Sequence, residues 1–136
     1  MAKMLVTGGS GMIGSAFRRI YPDAEFPTTK EFHSGLYDIK NKHVVHLAAK
    51  VGGVKANTEQ IGEFFRVNSI INQKLLHSAH YNKAEKVVSL LSTCVYPDSP
   101  YVAYPLTEDQ LHLGPPHPSN FGYAYAKRMV DVMSRA

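Results

Sequence analysis

Two side chains capable of proton chemistry stand one helical turn apart in Tyr123-Ala124-Tyr125-Ala126-Lys127. A spacing of four places the phenol and the ammonium on one helix face. A free phenol titrates near pH 10 and is a poor base at neutral pH. A neighbouring positive charge favours its ionised form and makes it a usable proton acceptor and donor. Upstream, Ser92-Thr93-Cys94 closes an apolar run. A serine hydroxyl there can polarise a carbonyl oxygen. A thiolate two residues on can remove a proton from the carbon beside that carbonyl. The set Ser92, Cys94, Tyr123 and Lys127 therefore suits carbonyl reduction coupled to proton abstraction, with Lys127 also placed to bind ribose hydroxyls.

A glycine-rich turn, Gly8-x-x-Gly11-x-x-Gly14, opens the chain between an apolar run and a helical pattern. Strand, glycine turn and helix in this order cradle a dinucleotide pyrophosphate on free backbone N–H groups at the helix N-terminus. The candidate contacts are Gly8, Ser10, Gly11, Met12, Ile13 and Gly14. The end of a second strand reads the adenosine ribose, an acid favouring NAD and a base favouring the 2′-phosphate of NADP. In Pro27-Thr28-Thr29-Lys30-Glu31 no acid sits at the strand tip, and Lys30 is either a phosphate partner or a solvated surface lysine. The balance favours NADP(H). Leu47, Ala48 and Ala49 end a third strand, where small residues let a cofactor lie flat or simply fill the core. His46 reads as a core histidine, Tyr125 as a packing residue, and Cys94 as either a base or a small buried hydrophobe. No metal is expected.

The elements that must position these groups alternate. Lys3–Thr7, Ala24–Thr28, His43–Ala48 and Lys86–Ser92 read as strands, the second weakened by Pro27. Residues 12–21, 59–81 and 121–135 read as helices, the middle one with Ile61, Phe64, Phe65, Asn68, Ile71, Leu75, Leu76 and Ala79 on one broad face. The proline-rich stretch 96–118 reads as a long surface loop. This alternation predicts an α/β, doubly wound parallel sheet with its ligand crevice at the carboxyl ends of the strands. With 136 residues the chain is expected to form one domain, residues 1–136. Its single cysteine excludes an internal disulfide and fits a reducing, cytoplasmic compartment. The formal charge of +4 comes from scattered basic residues, which argues against nucleic acid as a partner. No apolar stretch approaches the roughly 20 residues of a membrane span.

Four stretches carry a family resemblance: Val6-Thr7-Gly8-Gly9-Ser10-Gly11-Met12-Ile13-Gly14, His46-Leu47-Ala48-Ala49-Lys50-Val51-Gly52-Gly53, Leu91-Ser92-Thr93-Cys94-Val95-Tyr96-Pro97 and Asn120-Phe121-Gly122-Tyr123-Ala124-Tyr125-Ala126-Lys127-Arg128. The chain resembles the GDP-L-fucose synthases, extended short-chain dehydrogenase/reductases of the NAD-dependent epimerase/dehydratase family. The resemblance implies a Rossmann-like domain that converts GDP-4-keto-6-deoxymannose to GDP-L-fucose with NADPH. Epimerisation at the two carbons flanking the ketone would precede its reduction. Cys94 falls on the family's cysteine, with Ser92 and Tyr123 on the ketone oxygen and Lys127 beneath. Asp38 falls near the family's adenine-facing acid. Family members are about twice this length, as two domains require. The resemblance therefore implies a truncated fold without the C-terminal substrate domain or the histidine that partners the cysteine, and little turnover from this chain alone. Little room is left for a helix between Lys30 and His43. Relatives imply a homodimer built on the helices at 59–81 and 121–135. Two alternatives remain open, a dinucleotide-binding or assembly module without turnover and another nucleotide-sugar epimerase or dehydratase.

Overall fold

The computed structural model describes residues 3–136. Three strands, β1 (Lys3–Thr7), β2 (Lys42–His46) and β3 (Lys86–Ser89), form one parallel sheet in the order β1-β2-β3. Lys3 is in register with Lys42 and Thr7 with His46, while His43 pairs with Lys86 and His46 with Ser89. The helices are α1 (Met12–Ile20), α2 (Thr29–Ser34), α3 (Val54–Glu59), α4 (Ile61–Tyr81) and α5 (Phe121–Arg135). The α/β fold class with a parallel sheet is thus the one the alternation predicts. Short 3-10 turns lie at Thr93–Val95, Glu108–Gln110 and Pro118–Asn120.

The chain divides into two compact units. The first runs through Ala49 and resumes at Lys74–Leu90, and it contains the sheet. Leu5, Val6, Thr7, Val44 and His46 are buried at its centre, with Leu75 and Ala79 of α4. The second comprises Lys50–Gln73 and Leu91–Ala136. Buried asparagines hold it together. Asn68 Nδ2 donates to Lys50 O (2.9 Å) and Phe64 O (2.8 Å), while its Oδ1 accepts from Lys50 N (2.8 Å). Asn72 Nδ2 donates to Ala126 O at 3.0 Å. Each bond satisfies a group whose burial would otherwise cost about 1–3 kcal/mol.

Several expected elements differ. The strand expected at Ala24–Thr28 is a single bridge, with Val6 N donating to Glu25 O and Glu25 N to Met4 O, both at 2.8 Å. Pro27 cannot donate to a ladder, so pairing stops there. A helix, α2, does form between Lys30 and His43, contrary to expectation. Thr28 and Glu31 build a reciprocal capping box at its start, and Gly35 ends it in the left-handed region. The helix expected from Glu59 begins at Ile61, and α3 precedes it. Strand β2 ends at His46 rather than Ala48, and β3 at Ser89 rather than Ser92. Phe65, expected on the buried face of α4, is exposed.

Candidate active site

In the first unit the turn from Thr7 to Gly14 is built by close backbone contact. Gly8 has φ 74°, and a Cβ there would lie 2.8 Å from Ala48 N. A Cβ on Gly14 would collide with the carbonyl oxygen of Gly8. Only glycine fits either position without displacing backbone. Helix α1 then starts at Gly11 with no side-chain cap and no acid in its first turn. Its leading N–H groups and positive dipole end remain available to an anion.

Thr7 registers this turn against the end of β2. Its Oγ1 accepts from Leu47 N and Ala48 N, each at 3.2 Å, and lies 2.8 Å from His46 Nδ1. Backbone N–H groups only donate, so the hydroxyl proton goes to Nδ1 and the buried imidazole carries its proton on Nε2. His46 is accordingly a hydrogen-bonded core histidine. Leu47, Ala48 and Ala49 are thereby fixed beside Gly8, whereas Met12 and Ile13 stand exposed at the start of α1.

Two expected cofactor residues lie elsewhere. Lys30 sits exposed in the first turn of α2, not at a strand tip. Asp38 is a correction. It precedes β2 at the amino end of the strand, whereas Gly8 follows the carboxyl end of β1. Its carboxylate accepts from Lys40 N (3.0 Å) and lies 3.5 Å from Lys42 Nζ, and its carbonyl accepts from that ammonium at 2.8 Å. The Lys40 N–H holds this carboxyl below its usual range. These contacts make Asp38 part of the turn that leads into β2.

In the second unit the four acid–base candidates come together. Helix α5 carries Tyr123 and Lys127 on one face, with the Lys127 Nζ 6.0 Å from the Tyr123 ring centroid. Ser92 and Cys94 both lie close enough to Tyr123 to influence its titration, Ser92 through hydrogen bonding and Cys94 through charge. Ser92 Oγ also accepts from Cys94 N at 3.3 Å, capping the 3-10 turn Thr93–Val95. Cys94 is half-buried, so it is not sealed into the core.

Packing sets the titration of the phenol and the ammonium in the protein itself. Burial, and next charge repulsion from Cys94, push the Tyr123 phenol above its ordinary value, while hydrogen bonding to Ser92 pulls the other way. Burial likewise lowers the Lys127 ammonium.

Sequence reasoning missed Arg128. It is buried, its Nε donates to Val95 O at 2.7 Å and its Nη1 to Gly114 O at 2.8 Å. Its guanidinium carbon lies 5.3 Å from the Tyr125 ring centroid. One side chain thus ties the Ser92–Val95 turn and the Gly114 region of the loop to α5. Tyr125, packed 4.8 Å from the Phe121 ring, completes the stack. Of the histidines in this unit, His112 bonds Asp131 (2.9 Å) and His117 bonds Ser119 (2.7 Å).

A glycine turn followed by a serine just beyond β3 and a Tyr-x-x-x-Lys helix points to one family, and comparison decides it. The family model described as "NAD dependent epimerase/dehydratase family" matches residues 25–136. The chain belongs to the NAD-dependent epimerase/dehydratase family. Within that family it is 41% identical to a probable GDP-L-fucose synthase of Drosophila melanogaster over its full length, which is 46% of that relative. It is 42% identical to GDP-L-fucose synthase of Dictyostelium discoideum, over 98% of this chain and 46% of that one. The crystal structure of a GDP-L-fucose synthetase from Naegleria fowleri bound to NADP superposes with a TM-score of 0.81 at 36% identity, covering 98% of this chain and 44% of that one. The chain spans about half the length of the curated relatives it matches. The Rossmann-like parallel sheet is that of the N-terminal part of these epimerase/dehydratase family enzymes.

Proposed function

We propose that the chain carries the cofactor-binding and acid–base half of a GDP-L-fucose synthase-type enzyme. Such an enzyme epimerises GDP-4-keto-6-deoxy-D-mannose at C3 and C5 and reduces C4 with NADPH. The observation that carries this reading is the meeting of Ser92, Cys94, Tyr123 and Lys127 in one unit. A reductase needs only serine, tyrosine and lysine. A half-buried thiol beside the tyrosine adds a base for carbon acids.

The glycine turn fits a dinucleotide. Its uncapped helix start offers N–H donors, and glycine at positions 8 and 14 leaves the backbone free of side-chain bulk. In this reading Gly8, Ser10, Gly11, Met12, Ile13 and Gly14 take the pyrophosphate, and Leu47, Ala48 and Ala49 flank the cofactor. NADPH, when bound, supplies the hydride that turns the ketone into an alcohol. Tyr123 donates its proton to the ketone oxygen as that oxygen becomes negative, and Ser92 holds the same oxygen by a hydrogen bond. In the preceding epimerisation Cys94, as thiolate, removes the proton from the carbon beside the carbonyl, and the same oxygen contacts stabilise the enolate. Reprotonation from the opposite face by solvent water, which replaces the proton taken by Cys94, inverts the centre. A phenol held protonated is the state the reduction needs.

The exposed apolar residues Ile61, Phe65, Ile70, Phe121 and Val132 on α4 and α5 support a second copy of the chain as partner. The decisive assay is consumption of NADPH with the keto-sugar at stoichiometric protein. Turnover lost in Tyr123→Phe supports the reading. NADPH binding without any turnover favours the binding module, and absence of NADPH binding overturns both.

A further inference from the structure

Resting on the dinucleotide reading above, we propose that Arg18 reads the 2′-phosphate of the cofactor and sets the preference for NADP(H) over NAD(H). Arg18 lies on α1, and its Nε donates back to Gly9 O at 3.1 Å, inside the glycine turn. Its guanidinium carbon sits 4.2 Å from the Phe26 ring centroid. Phe26 in turn covers Gly9, its Cδ1 only 2.8 Å from where a Gly9 Cβ would stand, with Arg18 Nη2 at 3.0 Å from the same point. One hydrogen bond and one ring face thus fix the plane of the guanidinium. Among the described residues no acceptor takes its Nη N–H groups. A planar, pre-oriented fork with unspent donors is the arrangement that suits a phosphate.

The place is the right one. Gly9 belongs to the turn that faces the pyrophosphate, and Phe26 is the residue before Pro27-Thr28, where the chain leaves the side of β1. Adenosine ribose is read where a second strand ends beside the glycine turn. Two acids of this segment, Glu25 and Glu31, are already engaged in other pairs. Glu25 accepts from Lys42 Nζ at 2.7 Å, and Glu31 accepts from Thr28 N at 2.7 Å within the capping box. Lys30, the base expected from sequence, is exposed on α2 without a stack or bond to orient it. A flexible lysine contributes charge but little geometry.

The test is calorimetric titration of NADPH, NADH and 2′,5′-ADP into the wild-type chain and into Arg18→Met, Arg18→Lys and Lys30→Met. Arg18→Met is expected to weaken NADPH and 2′,5′-ADP at least about tenfold, the value of one charge-assisted pair, and to leave NADH within about twofold. Arg18→Lys is expected to fall between, and Lys30→Met to keep the NADPH/NADH ratio. Equal losses for NADPH and NADH in Arg18→Met would mean that Arg18 only braces the Gly9 carbonyl, and would overturn the proposal. A ratio that collapses in Lys30→Met instead would transfer the role to Lys30. Wild-type protein that binds neither dinucleotide would refute the underlying reading itself, a result distinct from lost discrimination. Arg18 is exposed, so circular dichroism melts of the variants should match the wild type and confirm that the fold persists.

Discussion

Replacing Arg128 by Met should loosen the turn that presents Ser92 and Cys94. Methionine keeps the apolar stem and removes the guanidinium, leaving the carbonyls of Val95 and Gly114 without their donors. Hydrogen bonds from a charged group are worth about 1.5–3 kcal/mol each, so two are worth about 3–6 kcal/mol. Part of this is returned. Burial disfavours the arginine charge, and its Nη2 is itself buried without a partner. Relief of that unsatisfied donor is worth about 1–3 kcal/mol. The net loss should be about 2–3 kcal/mol, which at a urea m-value of about 2 kcal/mol/M lowers the unfolding midpoint by about 1–1.5 M. A second readout isolates the site. Cys94 is the only cysteine in the chain, so alkylation in native buffer reports on it alone. Its rate should rise severalfold in Arg128→Met. Arg128→Lys, which keeps the charge but cannot span both carbonyls, should lie between. An unchanged midpoint together with an unchanged alkylation rate would refute the idea that Arg128 positions this turn.

Other outcomes follow from the same geometry. Gly14→Ala sets a methyl against the Gly8 carbonyl, and overpacking of this kind costs about 1–3 kcal/mol; thermal melts should show the loss, and NADPH binding should fall with it. Asp131→Asn removes the carboxylate that accepts from His112 (2.9 Å) and Arg135 (2.8 Å). The His112 bond first and the Arg135 bond second hold this carboxyl below its usual range. Its contribution is therefore full above the unfolded value of about 3.9 and fades as pH falls through the lower native value. Denaturation should show a deficit of about 1 kcal/mol at neutral pH that shrinks toward zero in acid, and a deficit independent of pH would contradict the assignment. Tyr123→Phe should reduce keto-sugar reduction by about 10²–10⁴-fold while NADPH affinity stays within about twofold, because general acid catalysis is lost and the glycine turn is kept.

What the sequence made legible was decided by apolar periodicity and by backbone chemistry. β1 and α5 match their expected bounds because the apolar run Met4-Leu5-Val6 is soon closed by Gly8 and because α5 buries Ala126 and Val130 one helical turn apart. Helix α3 was not legible. Its buried residue is Asn57, a polar side chain that holds the Gly52 carbonyl at 2.8 Å and the Gly53 carbonyl at 3.1 Å, so no apolar stripe announces it. Helix α2 was written in the Thr28-x-x-Glu31 capping box, yet it buries little beyond Phe32 and is too short for a periodic pattern. The four acid–base candidates were visible because their types and spacing are those the chemistry demands. Arg128 was not, since hydropathy assigns arginine to the surface and only the tertiary fold brings two carbonyls to it. The direction of the Tyr123 shift was also hidden, because burial depends on packing that spacing alone does not reveal.

The central claim is that Ser92, Cys94, Tyr123 and Lys127 act together on a 4-keto nucleotide sugar. Mass spectrometry of the sugar recovered after prolonged incubation with stoichiometric protein in D2O and 4-deuterated NADPH, where even the slow turnover expected of this chain leaves label, tests it most directly. The account predicts solvent deuterium at C3 and C5 that disappears in Cys94→Ser, and cofactor deuterium at C4 that disappears in Tyr123→Phe. A keto-sugar returned without any label, from protein that has bound NADPH, would contradict it.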